Sequence, residues 1–334
     1  MTTGFAGLGL PSIATQLVGS WCKPQWLCDH NLVFGAEGTW WNIPPERRAE
    51  ALDDAARLAI FDQERAGLSI VTDGEQRRQT FSGHFYTWGG IEPGEGRDRP
   101  RIVGPLTWQR PVLGDDVLFA KRVARTPLKA TIIGPCTLAT RLVDEHYGSL
   151  CEVAMALADV VSAEAQALVN LGADIIQIDE PDVHFRHAQV AEFAVEAIDR
   201  ALAKVTVPTA VHMCYGYSKS LAAKQASPLY GQAIELLAAT TADAMTLEYE
   251  QPAHEPELLT HAGDKTVILG VLNLDTAAPI ETADHIESRA RAAMEVVGRD
   301  RLQLAPDCGM WFLPRERAMA KLVAMETAAS RMRG

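Results

Sequence analysis

Four side chains of metal-ligating type lie close to the ends of short apolar segments of the sequence. His212 and Cys214 occur in V-H-M-C-Y-G, Glu248 in M-T-L-E-Y-E, and Cys308 in L-A-P-D-C-G. Two sulfurs, an imidazole and a carboxylate can form a tetrahedral zinc shell. Residues two apart on a strand point to the same side, which lets His212 and Cys214 chelate one ion. Glu250 shares the parity of Glu248 but lies farther from the strand end, and Cys308 has the alternative of being a buried structural thiol.

The charge of such a shell indicates which chemistry it suits. Two thiolates and a carboxylate around Zn²⁺ leave it negative, which is unfavourable for polarising a carbonyl or generating hydroxide. A thiol substrate fits better, because the metal lowers the thiol pKa while the electron-rich shell keeps the sulfur nucleophilic. A further thiolate would add more negative charge, so we expect Glu248, the carboxylate among sulfur ligands, to loosen when a thiol arrives.

Polar residues or glycines also follow the other predicted strands. Any one of them has a simple explanation, since Gly-Pro and Asp-Gly favour turns and a carboxylate can cap the next helix. Together they indicate an active site, because buried carboxylates, histidines and cysteines are costly to desolvate unless they are paired or bound to a metal. The residues are Gly19-Ser20, Asp73-Gly74-Glu75, Gly134-Pro135, Asp179-Glu180-Pro181, Asn273 and Asp307-Cys308.

These residues can meet only if the fold brings the ends of successive strands to one rim. Eight short apolar segments rich in β-branched residues alternate with stretches of helical periodicity, which is typical of buried parallel strands covered by helices. We therefore predict a single α/β domain over residues 1–334, a TIM-type (β/α)8 barrel with its chemistry at the carboxyl ends of the strands. The predicted strands are Gln16–Ser20, Leu68–Asp73, Leu128–Ile133, Ile175–Asp179, Thr209–Met213, Ala244–Tyr249, Val267–Val271 and Leu302–Ala305. The predicted helices are Leu150–Asn170, Val190–Val205, Pro228–Thr240, Thr282–Val297 and a last helix with Pro314 at its first position.

The segment 81–108 interrupts this alternation between the second and third predicted strands. It is rich in glycine, proline, charge and aromatic side chains and has no steady period. Loops of this length are often functional, and Phe81, Phe85, Tyr86 and Trp88 could cover an apolar pocket. A surface hairpin that packs its own aromatic side chains explains the composition equally well.

Composition limits the classes of function. The chain has 334 residues, of which 47% are hydrophobic and 22% charged, and its formal net charge is −12. This charge argues against a nucleic-acid surface, which needs clustered lysine and arginine. The sequence has neither a long apolar run nor a basic-then-apolar leader, so we predict a soluble cytoplasmic protein without membrane contact. Six cysteines without the spacing of a secreted scaffold indicate reduced thiols. A homo-oligomer is compatible with the sequence, which does not specify one.

Six strings resemble the catalytic domain of cobalamin-independent methionine synthases, in the same order and over nearly the whole chain. The resemblance implies a TIM-type barrel that binds zinc. It further implies that the zinc ligands are His212, Cys214, Glu248 and Cys308. The strings are V-G-S-W at 18–21, D-G-E-Q-R-R at 73–78, I-I-G-P at 132–135, I-Q-I-D-E-P at 176–181, V-H-M-C-Y at 211–215 and L-A-P-D-C-G-M at 304–310.

The same resemblance implies how a substrate is held. Ser20, Glu75 and Asp179 match positions that bind the carboxylate and ammonium groups of homocysteine. We therefore predict Asp179 and Glu75 as catalytic residues, and Ser20, Glu75, Asp179 and Glu180 as substrate-binding residues. The partners implied are a small-molecule thiol and an alkyl donor.

The sequence also departs from the full-length synthases. Those enzymes have a second, N-terminal barrel that helps to bind polyglutamylated folate, for which this chain has no room. Y-E-Q-P follows Glu248 where the synthases have a serine- and arginine-rich turn, and G-V-L-N-L-D-T at 270–276 is more similar to short single-barrel relatives. Those relatives include zinc enzymes that open epoxides with coenzyme M. A sulfonate thiol of that kind would need an arginine, for which Arg77, Arg78 and Arg141 are the candidates.

The sequence therefore predicts a zinc-dependent thiol alkyltransferase, most simply one that methylates homocysteine or a similar thiol from a donor other than folate polyglutamate. The alternatives are an epoxide-opening thiol transferase of the 2-hydroxypropyl-coenzyme M lyase type and a metal-free barrel similar to uroporphyrinogen decarboxylase. A non-catalytic zinc- or thiol-binding protein is a further alternative. His184 and His187 lie on the same rim, where they could touch substrate or bind a second metal, and we predict instead that both face solvent on a turn.

Overall fold

The structure is a computed structural model that describes residues 4–29, 40–94, 99–216 and 227–334. Strands and helices alternate along most of it. The strands are β1 (Gly89–Glu92), β2 (Arg101–Thr107), β3 (Lys129–Ile133), β4 (Val143–Asp144), β5 (Ile175–Asp179), β6 (Thr209–Met213), β7 (Ala244–Leu247), β8 (Thr266–Gly270) and β9 (Leu302–Ala305). The α-helices are α1 (Arg48–Ala66), α2 (Gly114–Val123), α3 (Pro135–Arg141), α4 (Leu150–Asn170), α5 (Pro181–Phe185), α6 (His187–Val190), α7 (Ala194–Leu202), α8 (Tyr230–Ala239), α9 (Ala283–Val297) and α10 (Arg315–Arg333).

The core of the fold is a parallel sheet that closes on itself. Six strands pair in the order β3-β5-β6-β7-β8-β9. Two further segments join the last strand to the first through single parallel bridges, so eight parallel segments complete a ring. The fold is therefore the predicted (β/α)8 barrel. The bridges are Thr15 with Leu304, Gln16 with Ile70, and Val71 with Leu128.

The first two barrel segments are shorter than the predicted strands Gln16–Ser20 and Leu68–Asp73. Here side chains form hydrogen bonds with backbone N–H and C=O groups that would otherwise pair with a neighbouring strand. Gln63 of α1 accepts a hydrogen bond from the Thr72 N–H at 2.9 Å and donates one to the Thr72 carbonyl at 2.9 Å. The Thr72 hydroxyl donates to the Gly19 carbonyl at 2.6 Å. This part of the barrel is thus held by side-chain hydrogen bonds as well as by strand pairing.

The predicted helices differ from the structure at one break and at some of their ends, as where the predicted helix Pro228–Thr240 is observed as Tyr230–Ala239. Leu150–Asn170 has the predicted bounds, and the Ser149 side chain caps its start. The predicted helix Val190–Val205 is divided between α6 and α7, because the Phe193 N–H bonds to the Val190 carbonyl in an i to i−3 turn. Pro314 precedes the last helix as its N-cap instead of being its first residue. No helix in the described residues is both long and apolar enough to cross a membrane.

The segment 81–108 forms a hairpin, apart from residues 95–98, which lie outside the described ranges. β1 and β2 pair antiparallel, and β4 adds to β2 in parallel. Phe85 and Trp88 are buried with their ring centroids 5.2 Å apart. The Trp108 indole N–H donates to Glu164 of α4 at 2.8 Å, which ties the hairpin to the barrel. Phe81 is not packed within the hairpin in this way. It lines the cavity at the carboxyl ends of the strands, which is described below.

A polar layer crosses the interior of the barrel. Lys129, Gln177 and Thr246 are buried side chains of the barrel strands β3, β5 and β7. The Lys129 Nζ lies 2.7 Å from the Gln16 and Gln177 side-chain oxygens, and the Gln16 amide donates to Gln303 at 2.6 Å. Buried polar groups are stable only when hydrogen-bonded, and this layer supplies its own partners.

A tryptophan cluster lies beside the carboxyl ends of the strands. Trp40 and Trp41 stack with centroids 4.4 Å apart, and Trp311 lies 6.0 Å from Trp40. The ammonium group of buried Lys23 lies 4.8 Å from the Trp311 ring centre, within cation–π distance.

Candidate active site

Three of the predicted metal ligands meet at the carboxyl ends of the strands. His212 is on β6, Cys214 follows that strand, and Cys308 follows β9. All three are buried, and one ligand atom from each lies within 4.8 Å of the others. The two sulfur atoms are 3.3 Å apart. Thiolate and imidazole ligands at this spacing suit zinc or a similar soft-to-borderline metal.

His212 is oriented by a carboxylate. Its Nδ1 lies 3.0 Å from Asp179 Oδ1, and its Nε2 is buried with no hydrogen-bond partner among the described residues. A buried ring nitrogen without a hydrogen-bond partner is typical of a histidine that ligates a metal, whereas a histidine in a protein core normally has both ring nitrogens hydrogen-bonded. Burial lowers the pKa of His212, but the interactions with Asp179 and the nearby Cys308 sulfur outweigh it and raise the pKa to about 10.

Glu248, the fourth predicted ligand, lies beside this group without being a member of it. It is fully buried at the end of β7, and its Oε2 accepts the Tyr215 N–H at 2.7 Å. Gly216 donates its N–H to the Cys214 sulfur at 3.2 Å, so the turn after β6 touches both side chains. The carboxylate is therefore adjacent to the cluster but directed at the backbone of this turn.

A cavity of about 300 Å³ contains this cluster and most of the predicted substrate residues. Its polar side includes Ser20, whose hydroxyl is buried without a partner in the described residues, together with Glu75 and Asp179. The apolar part of the cavity wall is formed by aromatic side chains, which are Phe81, Phe185, Trp311 and Phe312.

Glu75 is held in an uncommon backbone conformation. Its φ is +55°, in the left-handed region that non-glycine residues seldom adopt, and strain of this kind is concentrated at functional sites. The Lys23 ammonium donates to the carbonyls of Glu75 at 2.6 Å and of Gln76 at 2.7 Å. The Glu75 carboxylate accepts from the Thr131 hydroxyl at 3.1 Å and lies 3.4 Å from Arg78. Burial raises the pKa of this carboxyl group.

Glu180 has a different position from the one predicted for a substrate ligand. It does not line the cavity and is fully buried. Its two oxygens accept the N–H groups of Cys136 at 2.9 Å and Thr137 at 2.7 Å, at the start of α3. A carboxylate there satisfies N–H groups that the helix leaves unpaired. The geometry gives Glu180 a structural role.

The three candidate arginines are also separated by the structure. Arg77 forms ion pairs with Asp53 and Asp116. Arg78 is buried and donates to the Thr131 carbonyl at 2.7 Å. Only Arg141 among the three lines the cavity, with its guanidinium over the Phe81 ring.

The prediction that His184 and His187 both face solvent was wrong for His184. His184 is buried, contacts the rings of Tyr215 and Tyr230, and hydrogen-bonds Ser227. Burial lowers the pKa of His184 to about 4, so the ring is neutral. His187 is half-buried and its Nδ1 lies 3.2 Å from the Val183 carbonyl. The apolar residues that enclose His184 come from distant segments, which explains the error.

Sequence reasoning missed Lys23 and Gln177. Both are buried, and neither lines the cavity. Gln177 has a signal in the sequence, because it is two residues before Asp179 on the same strand and so points to the same side. Lys23 follows G-S-W-C, and its contacts depend on chain segments far away in sequence.

Relatives of known sequence match this chain over most of their length. The family profile described as "Cobalamin-independent synthase, Catalytic domain" matches residues 13–331. A methionine synthase of Sulfurisphaera tokodaii is 31% identical over 330 residues, covering 95% of this chain and 91% of the relative. A methionine synthase of Saccharolobus solfataricus is 31% identical over 332 residues, covering 95% and 93%.

Solved structures agree with these relatives. A B12-independent methionine synthase from Shewanella sp. W3-18-1, in complex with selenomethionine, has a TM-score of 0.86 at 29% identity, covering 96% of this chain and 98% of that one. A putative vitamin-B12 independent methionine synthase from Listeria monocytogenes, with a TM-score of 0.77 at 21% identity over 97% and 99% of the two chains, supports the fold alone. The chain belongs to the catalytic-domain family of the cobalamin-independent methionine synthases, which are methyltransferases.

Proposed function

We propose that this chain is a zinc-dependent enzyme that transfers a methyl group to the sulfur of homocysteine or a similar amino-acid thiol, with the whole barrel as one catalytic unit. One observation carries the proposal. Three side chains that could ligate a metal, His212, Cys214 and Cys308, line the same cavity as three that could hold a zwitterion, Ser20, Glu75 and Asp179.

The donor set supports zinc. His212, Cys214 and Cys308 would hold the ion, and Glu248, whose Oε2 accepts the N–H of Tyr215 next to Cys214, would be a fourth, weaker ligand. When bound, zinc lowers the pKa of a substrate thiol, so that a nucleophilic thiolate is available at neutral pH. Asp179 orients His212, and the Gly216 N–H supports the Cys214 sulfur.

The polar side of the cavity suits an amino acid. Glu75 and Asp179 are anions that can accept hydrogen bonds from an ammonium group, and such charge-assisted bonds are stronger than neutral ones. The Ser20 hydroxyl can donate to a carboxylate. The substrate is thereby held at both charged ends, which places its sulfur relative to the cysteine pair.

The cavity walls bear on the methyl donor. Aromatic side chains suit a flat or apolar donor, and Arg141 is the only lysine or arginine that lines the cavity within the described ranges. A polyglutamate tail carries several carboxylates and would call for several basic partners. This supports a donor other than folate polyglutamate.

Arg141 also supports a second candidate, the opening of an epoxide by coenzyme M. Its guanidinium could pair with a sulfonate. The two carboxylates of the cavity favour an ammonium group instead, which coenzyme M lacks. The methionine synthase relatives favour the methyl transfer.

The test is a thiol-consumption screen of the zinc-loaded protein. Homocysteine, coenzyme M and glutathione are each paired with methylcobalamin, methyl-folate and a short epoxide. We expect methionine to form from homocysteine with one of the methyl donors. Consumption of coenzyme M with the epoxide, and none of homocysteine, would replace this proposal by the second candidate. A purified protein that binds no zinc would remove both.

A further inference from the structure

A line of hydrogen bonds runs from the interior of the barrel to the candidate metal ligand His212. The Lys129 ammonium donates to Gln177 Oε1 at 2.7 Å. Gln177 Nε2 donates to Asp179 Oδ1 at 2.8 Å, and the same oxygen lies 3.0 Å from His212 Nδ1. The line therefore crosses β3, β5 and β6, three neighbouring strands of the barrel.

The direction of every bond in this line is determined by its chemistry. Gln177 Nε2 also donates to the Val18 carbonyl at 3.0 Å, and a carbonyl can only accept. The amide nitrogen of Gln177 must therefore face Asp179, and its oxygen must face Lys129. The Asp179 carboxylate accepts from both neighbours, so His212 donates from Nδ1. Nε2, the nitrogen that has no hydrogen-bond partner in the described part of the chain, is then the ring atom left to bind a metal.

Lys129 and Gln177 do not take part in binding directly. Both are buried, and neither lines the cavity. Lys129 is fixed by the Leu17 carbonyl at 2.7 Å in addition to its two glutamine partners. Any effect of these two residues on ligands in the cavity must pass through Asp179.

We infer that Gln177, fixed by Lys129, is a positioning residue for the metal site. It sets the orientation of Asp179 and through it the tautomer and orientation of His212. This inference rests on the proposed function only in requiring that a metal binds to His212. Asp179 also lines the cavity, where it would hold the substrate ammonium group. The same line of hydrogen bonds therefore links metal affinity to substrate binding.

The experiment compares two interior glutamines. Gln177→Leu removes the donor to Asp179, whereas Gln303→Leu removes an amide of the same polar layer that pairs with Gln16. We expect the zinc dissociation constant, measured by competition with a chromophoric chelator, to rise about tenfold or more for Gln177→Leu, as for other partners of metal-binding histidines. Gln303→Leu should stay close to the unsubstituted protein. Equal zinc affinity in the two variants would overturn the inference.

Two further measurements keep the test decisive. Gln177→Glu preserves the shape and the contact with Lys129, but places a carboxylate against Asp179, so it should weaken zinc binding even if Gln177→Leu fails to fold. The ¹⁵N shifts of the His212 ring in the zinc-bound protein should show the proton on Nδ1 and the metal on Nε2, and a loss of that preference in the Gln177 variants. An unchanged tautomer with unchanged zinc affinity would overturn the inference. Failure of the unsubstituted protein to methylate thiols, with normal zinc binding, would count against the proposed function and not against this inference.

Discussion

The two sides of the cavity are built in different ways. The metal-binding side stands on β5, β6 and β9, where regular parallel pairing fixes each strand end, as in the register of Asp179 with His212. The side that contains Ser20 and Glu75 stands on barrel segments joined by single bridges. There, Lys23 and other side chains hold the backbone. The comparison teaches that strand pairing brings the metal ligands together, with Asp179 orienting His212, while the amino-acid pocket depends on individual buried side chains that hold an irregular backbone.

The largest expected effect is on the metal-binding side. Cys308→Ser should lose zinc and all thiol methylation, because a hydroxyl is a poor replacement for a thiolate ligand. The melting temperature of the zinc-free protein should change little, since the strands that carry the site pair independently of it. Metal content by elemental analysis and circular dichroism check these expectations.

The matched control for that substitution is Cys151→Ser. Cys151 is exposed on α4, away from the cavity, and should keep zinc and activity. Full zinc occupancy and normal activity in Cys308→Ser would contradict the site as proposed.

Removing the two cavity carboxylates separates the two sides. Each charge-assisted hydrogen bond contributes roughly 1.5–3 kcal/mol, so Asp179→Asn and Glu75→Gln should each raise KM for homocysteine about tenfold or more. For a thiol without an amino group, Glu75→Gln should be nearly neutral. Asp179→Asn should still impair that thiol, because Asp179 also orients His212. Steady-state kinetics with both thiols measure this, and equal losses for both thiols in Glu75→Gln would assign Glu75 a structural role.

Substituting Lys23 tests whether substrate binding on the side of the cavity that contains Ser20 and Glu75 depends on buried side chains. Lys23→Met keeps the length of the side chain but removes the donors to Glu75 and Gln76. We expect KM for homocysteine to rise about fivefold, equivalent to about 1 kcal/mol, with zinc content unchanged. Lys321→Met is the control, because Lys321 is equally buried but pairs with Glu281 away from the cavity. The same change of KM in both variants would show general destabilisation.

The smallest effect is a pH dependence of substrate affinity. Burial raises the pKa of Glu75, Arg78 opposes this, and the charges of Asp179 and Asp73 add to it. The carboxyl group therefore becomes protonated, and loses its attraction for an ammonium group, at a higher pH than an ordinary glutamate. KM for homocysteine should rise as pH falls through this raised pKa. Glu75→Gln should flatten that part of the profile, and a profile unchanged by the substitution would assign it to another group.

Much of the fold was predictable from the sequence because buried parallel strands have a simple pattern. β3, β5, β6, β8 and β9 coincide with predicted strands to within a residue. The first two barrel segments were predicted too long, because the hydrogen bonds that replace their ladder come from Gln63 and Thr72, whose partners are set by the tertiary fold.

The site was predictable to the extent that strand ends determine it. His212, Cys214 and Cys308 meet as expected, whereas adjacent Asp179 and Glu180 cannot both face the cavity, since neighbouring side chains point in opposite directions. That alternation could have excluded Glu180 beforehand. The orientation of Glu248 could not be foreseen, because it depends on the backbone of the turn after β6.

Trp311 gives the cavity its own optical signal. Its indole is part of the cavity wall, stacks on Phe312, and lies near Lys23 and the stacked pair Trp40 and Trp41. A ligand that enters changes the polarity around this ring, so the intrinsic emission can follow binding without turnover and without a label. An unknown methyl donor can thus be sought by fluorescence titration before any product assay for it exists.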